Sequence, residues 1–440
     1  MKKAVLLIVI IVLTGKLVNA KVDTLTITIQ QAIETGLKNR YDIQADKYNL
    51  DIASNAVSRT KKEWMPELSG AANIRYSLDL PTTIIEPGVL GNPKEIFCEL
   101  GTVNNSVFSL DVVQTIYKPG IVADVRLAEN SRNLQREKNR QNENLLRQRI
   151  TESYLNALLR KLQYTISIDN EQRYHEYCTV AEIKFKQGTL IENDYLKAKL
   201  DADNADVDSK RTQQKYEMSI DNLKNQMNIP LSSDVVLYDT LGEDLFSANQ
   251  VPLVQGLANR TEVKQLQIQK DGNTLLLQKA YFNVLPTFQV FANYTEQFQY
   301  KNFDYGKNPF WNPFDYVGVM LRLPITNDYK NVNTIREAKY KILKTDLELK
   351  QKESDITFQI QNALVELENA RQNIRATKSN YDLSKRIYEN QKQQYSLGSL
   401  LYSSLLDTEK SLSAVEQNYI KAVYDYLVAE ISYQKAIGNL

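Results

Sequence analysis

The sequence predicts a mostly helical protein that also carries membrane β-strands and is built from a duplicated unit. Repetition is the first indication, because an order of helix, strand, loop, strand, long helix, glycine turn and helix occurs twice, about 210 to 225 residues apart. The second is length: each copy holds a helical stretch of roughly 68 residues, which spans about 100 Å and exceeds a globular core. In each copy, segments with a two-residue period interrupt the helices, which predicts β-strands there.

The amino-terminal segment has the pattern of a secretory signal. Lys2 and Lys3 precede an apolar run over residues 4–13, and a small-residue cleavage motif ends at Ala20. We therefore predict a signal peptide over 1–20 and export from the cytoplasm. No later run of about 18 apolar residues predicts a transmembrane helix, so the exported chain either stays soluble or enters a membrane as a β-barrel.

Composition excludes several classes of function. The 54 basic and 53 acidic residues give a net charge of +1, which argues against a nucleic-acid partner. The two cysteines, Cys98 and Cys178, fall in different predicted elements and indicate neither a disulfide framework nor a zinc site. His175, the only histidine, lies on a polar helix and is interpreted as a surface residue. Without a catalytic, metal-binding or phosphate-binding motif, the sequence predicts no enzyme, no catalytic residue, no metal and no cofactor.

The first copy covers residues 21–230. A helix capped near Thr28 is expected to end before Pro66, because proline cannot continue a helix. Strands follow over about 67–80 and 106–117, separated by a loop rich in proline and glycine. A long helix then reaches the Gly188 turn, and a second helix returns to about residue 227. Residues 231–255 are interpreted as an irregular connector.

The second copy covers residues 256–440 and repeats this order. Leu285-Pro286 matches Met65-Pro66, and the turn over 395–400 matches the turn over 185–190. Strands are predicted over about 287–301 and 314–323, followed by a long helix, the Gly398 turn and a last helix.

Aromatic residues are concentrated around the loop between the last two strands. Such residues form girdles at the water–lipid boundary of outer-membrane barrels. We predict that role for Tyr300, Phe303, Phe310, Trp311, Phe314 and Tyr316. A small soluble sheet with one buried face is the alternative interpretation. Four strands do not close a barrel, so the barrel interpretation requires eight strands from a dimer or twelve from a trimer, and the pattern leaves both open.

The ordered elements, the duplicated strands that follow proline and the duplicated glycine turns resemble the TolC-like outer-membrane efflux proteins. The resemblance covers essentially the whole chain after the signal. It implies a homotrimer with a twelve-stranded barrel in outer-membrane lipid and a long α-helical tunnel in the periplasm. It also implies two partners, a periplasmic adaptor and an inner-membrane pump of the RND or ABC class. The chain would serve a tripartite efflux or type I secretion system as a passive duct, and the resemblance leaves the cargo open.

The resemblance also implies a site at the glycine turns. Gly188 and Gly398 would form the periplasmic tip, and Leu190 and Leu400 would contact the adaptor. The gate positions fall on two residues of the last helix and one of the returning helix: Ser404, Asp407 and Asp194. Only one of the two usual gate aspartates is therefore acidic here. The alternative is that Asp407 is a solvated helix residue beside Lys410.

A structural or adhesive coiled-coil protein of the envelope is the competing interpretation of the whole chain. It accounts for the long helices. It does not account for amphipathic strands that end in an aromatic boundary.

Overall fold

The computed structural model describes residues 25–87, 94–241, 253–306, 308–325, 328–397 and 399–439. The predicted signal over 1–20 and Gly398 lie outside these residues. The chain divides into two compact units, and each unit takes segments from both halves of the sequence. The first unit comprises 1–44, 142–256 and 357–440, and the second comprises 45–141 and 257–356.

Helices make up most of the described chain, as predicted. They are α1 (Ile29–Asn39), α2 (Tyr41–Lys62), α3 (Ile121–Lys186), α4 (Glu192–Met227), α5 (Leu253–Asn259), α6 (Thr261–Phe282), α7 (Asp328–Ser396) and α8 (Tyr402–Ala436). The two predicted long helices are confirmed as α3, with 66 residues, and α7, with 69. Within the described ranges, no helix combines the length and the apolar character needed to cross a membrane.

The first helix is capped as predicted but is not continuous. Thr28 and Gln31 form a capping box at the start of α1. Arg40 then adopts an extended conformation and separates α1 from α2. Its guanidinium donates two hydrogen bonds to Asp42, at 3.0 and 2.7 Å, and Asp42 accepts a third from the amide of Ile43 at 2.9 Å. This break was not predicted, because neither glycine nor proline marks it.

Two short strand pairs were not predicted. Strand β1 (Leu25–Ile27) pairs in parallel with β6 (Val235–Leu237), which lies in the segment interpreted as an irregular connector. Strands β3 (Thr82–Ile85) and β4 (Ile96–Glu99) pair antiparallel within the predicted proline- and glycine-rich loop. The expectation of irregular structure was wrong at these places, because strands of three or four residues are too short to display a period.

The four predicted strands form one antiparallel sheet in the second unit. These are β2 (Glu67–Tyr76), β5 (Asn104–Tyr117), β7 (Thr287–Tyr300) and β8 (Trp311–Arg322), hydrogen-bonded in the order β2-β5-β7-β8. Strand β8 begins at Trp311, earlier than predicted, although Pro313 follows. Pro313 is the third residue of β8, close to the strand end, where a missing amide interrupts few ladder hydrogen bonds.

The strand register separates an apolar face from a polar face. One row across the four strands contains Leu68, Val112, Ala292 and Val317. The adjacent row contains Ser69, Asp111, Asn293 and Tyr316. Residues in one row point to the same side of a sheet, so the predicted period of two is confirmed in three dimensions.

The exposure of the two faces is the reverse of that in a water-soluble sheet. On the two central strands, where edge exposure plays no part, Leu110 and Val290 of the apolar face are 46% and 37% exposed. On the polar face, Asn293 is only 9% exposed and Thr295 only 3%. These buried polar groups are hydrogen-bonded, since Asn293 donates to Asp111 at 2.7 Å and Thr295 donates to Asn293 at 2.8 Å. The buried polar side chains are therefore hydrogen-bonded within the sheet, and the exposed side chains of the central strands include apolar ones.

Helical spacing in the sequence predicts a narrow apolar stripe on each long helix, and the structure largely confirms both. The predicted residues are Leu155, Leu158, Leu162 and Ile166 in the first helix and Ile356, Ile360, Leu364 and Leu367 in the second. On α3, Leu155, Leu158 and Ile166 are buried. On α7, Ile360 and Leu367 are buried, but Leu364 is exposed and Ala363 occupies the buried position instead. Both spacings, three and four residues, fit a helical face, so the pattern did not distinguish between them.

Candidate functional site

The two helix turns share one hydrogen-bond pattern. At the first turn, the amide of Thr189 donates to the carbonyl of Lys184 at 3.0 Å, and its hydroxyl donates to the same oxygen at 2.9 Å. At the second turn, the amide and hydroxyl of Ser399 donate to the carbonyl of Gln394 at 3.0 and 2.9 Å. These bonds satisfy carbonyls that a helix end leaves free. The predicted duplication therefore extends to individual backbone and side-chain bonds.

The first turn requires glycine because of its backbone conformation. Gly188 has a φ of +73°, in the left-handed region. No atom lies within 4 Å of the position where a Cβ would be built, so crowding does not explain the residue. Glycine is favoured because other residues pay a steric cost in this conformation. The corresponding Gly398 lies outside the described residues.

Each turn ends in an exposed apolar residue that the sequence interpretation missed. Ile191 precedes α4 and Leu401 precedes α8, both in an extended conformation and without a side-chain cap. Both side chains are exposed, as is that of Leu397. A signal for them does exist in the sequence, because the position before a helix normally holds Ser, Thr, Asp or Asn.

Leu190 and Leu400 pack against a single hydrophobic cluster, and both are half-buried. We call this the tip cluster. Its buried members are Tyr177, Ala181, Ala198, Tyr388, Leu405, Leu406 and Leu412, and its other half-buried members are Tyr174, Tyr195, Tyr381 and Tyr395. The cluster draws residues from α3, α4, α7 and α8, so the two turns are held by a shared core. The structure thus brings together the two leucines that the resemblance had singled out.

Buried polar contacts accompany the tip cluster and were not predicted. The guanidinium of Arg173 donates to the carboxylate of Glu409 at 2.5 Å, and the Glu409 side chain is only 1% exposed. The hydroxyls of Tyr177 and Tyr388 lie 2.8 Å apart. Burial, together with this hydrogen bond, raises the pKa of Tyr177 well above its ordinary range. Burial also raises the pKa of Tyr174 to about 12, so both phenols stay neutral at a pH where an ordinary tyrosine ionises.

The predicted gate residues lie near the starts of α4 and α8. Asp407 is exposed and lines a shallow depression with Ser384, Ile387, Thr408 and Ser411. Ser404 is half-buried, and its carbonyl accepts a hydrogen bond from the Thr408 hydroxyl at 3.1 Å.

Two further observations bear on these carboxylates. Asp194 is half-buried in the first turn of α4, where the helix dipole favours a negative charge. Lys410, the neighbouring cation in the sequence, has its ammonium 3.6 Å from a carboxylate oxygen of Asp201.

The predicted boundary aromatics divide into two groups. Four of them belong to an aromatic assembly at one end of the sheet. Tyr300 stacks on Phe310 with centroids 4.0 Å apart, and Phe303 stacks on Tyr76 at 5.5 Å. Trp311 packs at 5.2 Å from Phe298, which is fully buried.

The other two aromatics lie on the polar face. Phe314 and Tyr316 share rows with Thr295 and Asn293, and both are exposed. Alternate residues of a strand point to opposite faces, so the pairing of β8 with β7 assigns these two side chains to the polar face. The sequence alone supplied no such pairing for the strand predicted to start at 314. The register therefore separates these two side chains from the apolar face.

Comparison with solved structures shows which fold this is. The structure resembles CusC (TM-score 0.76, 16% identity, 93% of this chain and 92% of that chain). It also resembles the CmeC outer membrane channel of Campylobacter jejuni (0.73, 15%, 93% and 85%) and the open state of the MtrE outer membrane channel of Neisseria gonorrhoeae (0.71, 14%, 93% and 88%). At these identities the likeness establishes the shared fold. No curated protein sequence matches the chain.

Membership of a family follows from the sequence itself. The profile described as "Outer membrane efflux protein" matches residues 32–227 and 253–439, which cover both copies of the duplicated unit. This is a family of channels and not of enzymes. The chain therefore belongs to the outer membrane efflux protein family, and it is an outer-membrane efflux channel with the TolC-like fold.

Proposed function

We propose that three copies of the chain close a twelve-stranded barrel in the outer membrane and continue it as an α-helical tunnel into the periplasm. The trimer would passively conduct substrates delivered by an inner-membrane pump through a periplasmic adaptor, as in tripartite efflux or type I secretion.

The outward apolar face of the sheet is the observation that carries this proposal. Side chains such as Leu68 and Val317 would order water over a large area if the face were solvated, and burial in lipid removes that cost. The polar face, with Asp111 and Asn293, would line a water-filled lumen. The competing interpretation, a coiled-coil envelope protein, does not account for a sheet with this reversed exposure.

The free edges of the sheet support closure between copies. Strands β2 and β8 are the two ends of the sheet within the described chain. Unpaired strand edges are not tolerated in lipid, because no water is present to satisfy their amides and carbonyls. Pairing β2 of one copy with β8 of the next removes every edge, and three copies give twelve strands.

We assign fewer aromatic residues to the membrane boundary than the sequence predicted. Tyr300 and Trp311 share the rows of the apolar face, and Phe303 and Phe310 stack in the same aromatic assembly. We assign these four to the water–lipid boundary, where amphipathic rings are favoured. Phe314 and Tyr316, on the polar face, would line the lumen instead.

Cysteine cross-linking tests the closure of the barrel. In a background with Cys98→Ser and Cys178→Ser, we would combine Ser69→Cys on β2 with one cysteine on the same face of β8. Three β8 positions are tested one at a time: Asn312, Phe314 and Tyr316. Three are needed because a single chain does not define the stagger between β2 of one copy and β8 of the next. Within one chain, β5 and β7 separate the two edges by about 14 Å, too far for a disulfide. We therefore expect oxidation to link different copies and to produce a covalent trimer.

The matched control places the second cysteine at Val317, on the opposite face of β8. It should cross-link far less. If the largest cross-linked product is a dimer, the barrel has eight strands from two copies and not twelve from three. A chain that stays monomeric with every pair would refute closure by strand pairing.

We propose that Asp407 contributes an acidic ring at the tunnel entrance. Its carboxylate is exposed and Lys410 is engaged with Asp201, which leaves the charge of Asp407 available to a passing ion. Three such carboxylates around one opening would attract cations. Removing this charge in Asp407→Asn is therefore expected to weaken block by multivalent cations in planar bilayers, and relief of that block raises the open-channel conductance measured in their presence.

Asp425→Asn is the control for this change, because Asp425 is a half-buried carboxylate of the same helix that pairs with Lys421 at 2.6 Å. Conductance and cation block should be unchanged in that variant. If Asp407→Asn also leaves both properties unchanged, Asp407 is not part of the gate.

We also propose that the adaptor docks on the turns. Leu190 and Leu400 are half-buried in the tip cluster, so they shape the surface while their exposed neighbours Ile191 and Leu401 supply apolar area. Exposed apolar residues of this kind are typical of a partner-binding surface.

A further inference from the structure

The only histidine of the chain lies between two carboxylates. Glu171 and His175 are one helical turn apart on α3, and Asp206 comes from the neighbouring helix α4. The Nε2 atom of His175 is 2.6 Å from an Oδ1 atom of Asp206. One ligand atom from each of the three residues lies within 4.8 Å of the others. All three residues belong to the first compact unit.

This arrangement has the ligand types and the spacing of a transition-metal site. Residues four apart on a helix share one face, so Glu171 and His175 can converge on one ion. A tetrahedral Zn²⁺ with nitrogen and oxygen ligands at about 2.0–2.2 Å holds those atoms about 3.3–3.6 Å apart. The side chains of His175 and Asp206 are 52% and 36% exposed, so rotation over the remaining distance meets little packing.

We propose that Glu171, His175 and Asp206 bind a divalent transition-metal ion, with Zn²⁺ as the representative, and that water completes the coordination. An imidazole nitrogen together with carboxylates suits Zn²⁺, whereas Mg²⁺ prefers oxygen ligands in an octahedron. A histidine–aspartate pair alone would explain only two of the three residues, and an exposed pair adds little to stability. It would leave the nearby carboxylate of Glu171 unexplained.

A bound ion would link α3 to α4 below the Gly188 turn. Two ligands come from α3 and one from α4, so separating the helices would break a coordination bond. This consequence requires only one copy of the chain. The metal site is therefore independent of the proposed channel function, and it would bind an ion whether or not the chain forms a trimer.

Metal titration of the full-length protein tests the proposal. The protein is purified in detergent, stripped with EDTA, and titrated with Zn²⁺ by calorimetry, with metal content measured independently. We expect one Zn²⁺ per chain. Each of the variants His175→Ala, Glu171→Gln and Asp206→Asn should lower the affinity by at least about tenfold, since even outer-shell changes have effects of that size.

Glu176→Gln is the matched control. Glu176 is an exposed carboxylate next to His175 that accepts a hydrogen bond from Gln172 at 3.2 Å and is not one of the three ligands. The control should bind Zn²⁺ as the unmodified protein does. Equal weakening in the control would show a diffuse acidic surface and overturn the site, as would equal competition by Mg²⁺.

Two further readouts distinguish coordination from charge alone. The electron paramagnetic resonance spectrum of Cu²⁺ bound to the protein should show coupling to one nitrogen, and His175→Ala should remove it. Zn²⁺ should slow amide hydrogen exchange in the α3 and α4 segments around 171 and 206, and the same variant should abolish this protection. Unchanged Zn²⁺ affinity in His175→Ala, or no binding by the unmodified protein, would refute the proposal.

Discussion

Replacing Arg173 by methionine is expected to lower the free energy of local opening around Glu409 by about 3–5 kcal/mol. The carboxylate of Glu409 is 1% exposed and accepts a hydrogen bond from the Arg173 guanidinium at 2.5 Å. Removing the cation leaves a buried carboxylate without its counter-charge, which costs far more than the pair itself contributes. Native-state hydrogen exchange of the α8 amides near 409 measures this opening in the assembled protein.

The companion variants separate a buried charge from lost packing. Arg173→Met combined with Glu409→Leu should recover most of the loss, because two apolar side chains replace the pair without leaving a charge. Lys421→Met removes the cation of an exposed pair with Asp425 and should change the opening free energy by at most about 1 kcal/mol. If Arg173→Met has no larger effect than Lys421→Met, Glu409 is not held as the structure indicates.

This ion pair shows what the sequence could not supply. Arg173 and Glu409 are 236 positions apart, and the paired hydroxyls of Tyr177 and Tyr388 are 211 apart. No local pattern connects residues at such separations, because helical periodicity reports which face is buried and not what lies opposite it. The contact between His175 and Asp206 was missed for the same reason, since the two belong to different helices.

The elements that were predicted are those with a local cause. The glycine turn at 188, the cap at Thr28 and the alternating strands each depend on neighbouring residues, and the structure contains all three. The break at Arg40 was missed, because it depends on side-chain bonds to Asp42 that leave no compositional mark. Strand parity identified the apolar face before the register was known, but only the register placed Tyr316 on the opposite face.

An arginine at position 317 is expected to destabilise the folded barrel strongly. Val317 lies near the middle of β8, is 83% exposed and shares its row with Ala292 and Val112. If this face meets lipid, Val317→Arg places a charge in hydrocarbon, at a cost of about 2–4 kcal/mol per copy near the bilayer midplane. Urea unfolding of the protein in lipid vesicles, followed by the heat-modifiable band on gels, measures the loss.

The neighbouring position provides the decisive control, because Tyr316 and Val317 lie on opposite faces of one strand. In the proposed barrel, Tyr316→Arg directs its charge into the water-filled lumen and loses the edge contact between Tyr316 and Phe291, whose ring centroids are 6.0 Å apart. It should cost about 1 kcal/mol, well below the cost at 317. A soluble sheet predicts the opposite order, since a charge at an exposed valine would be harmless in water and would improve solubility. The ranking of the two variants therefore decides which solvent the apolar face meets, independently of how many copies close the barrel.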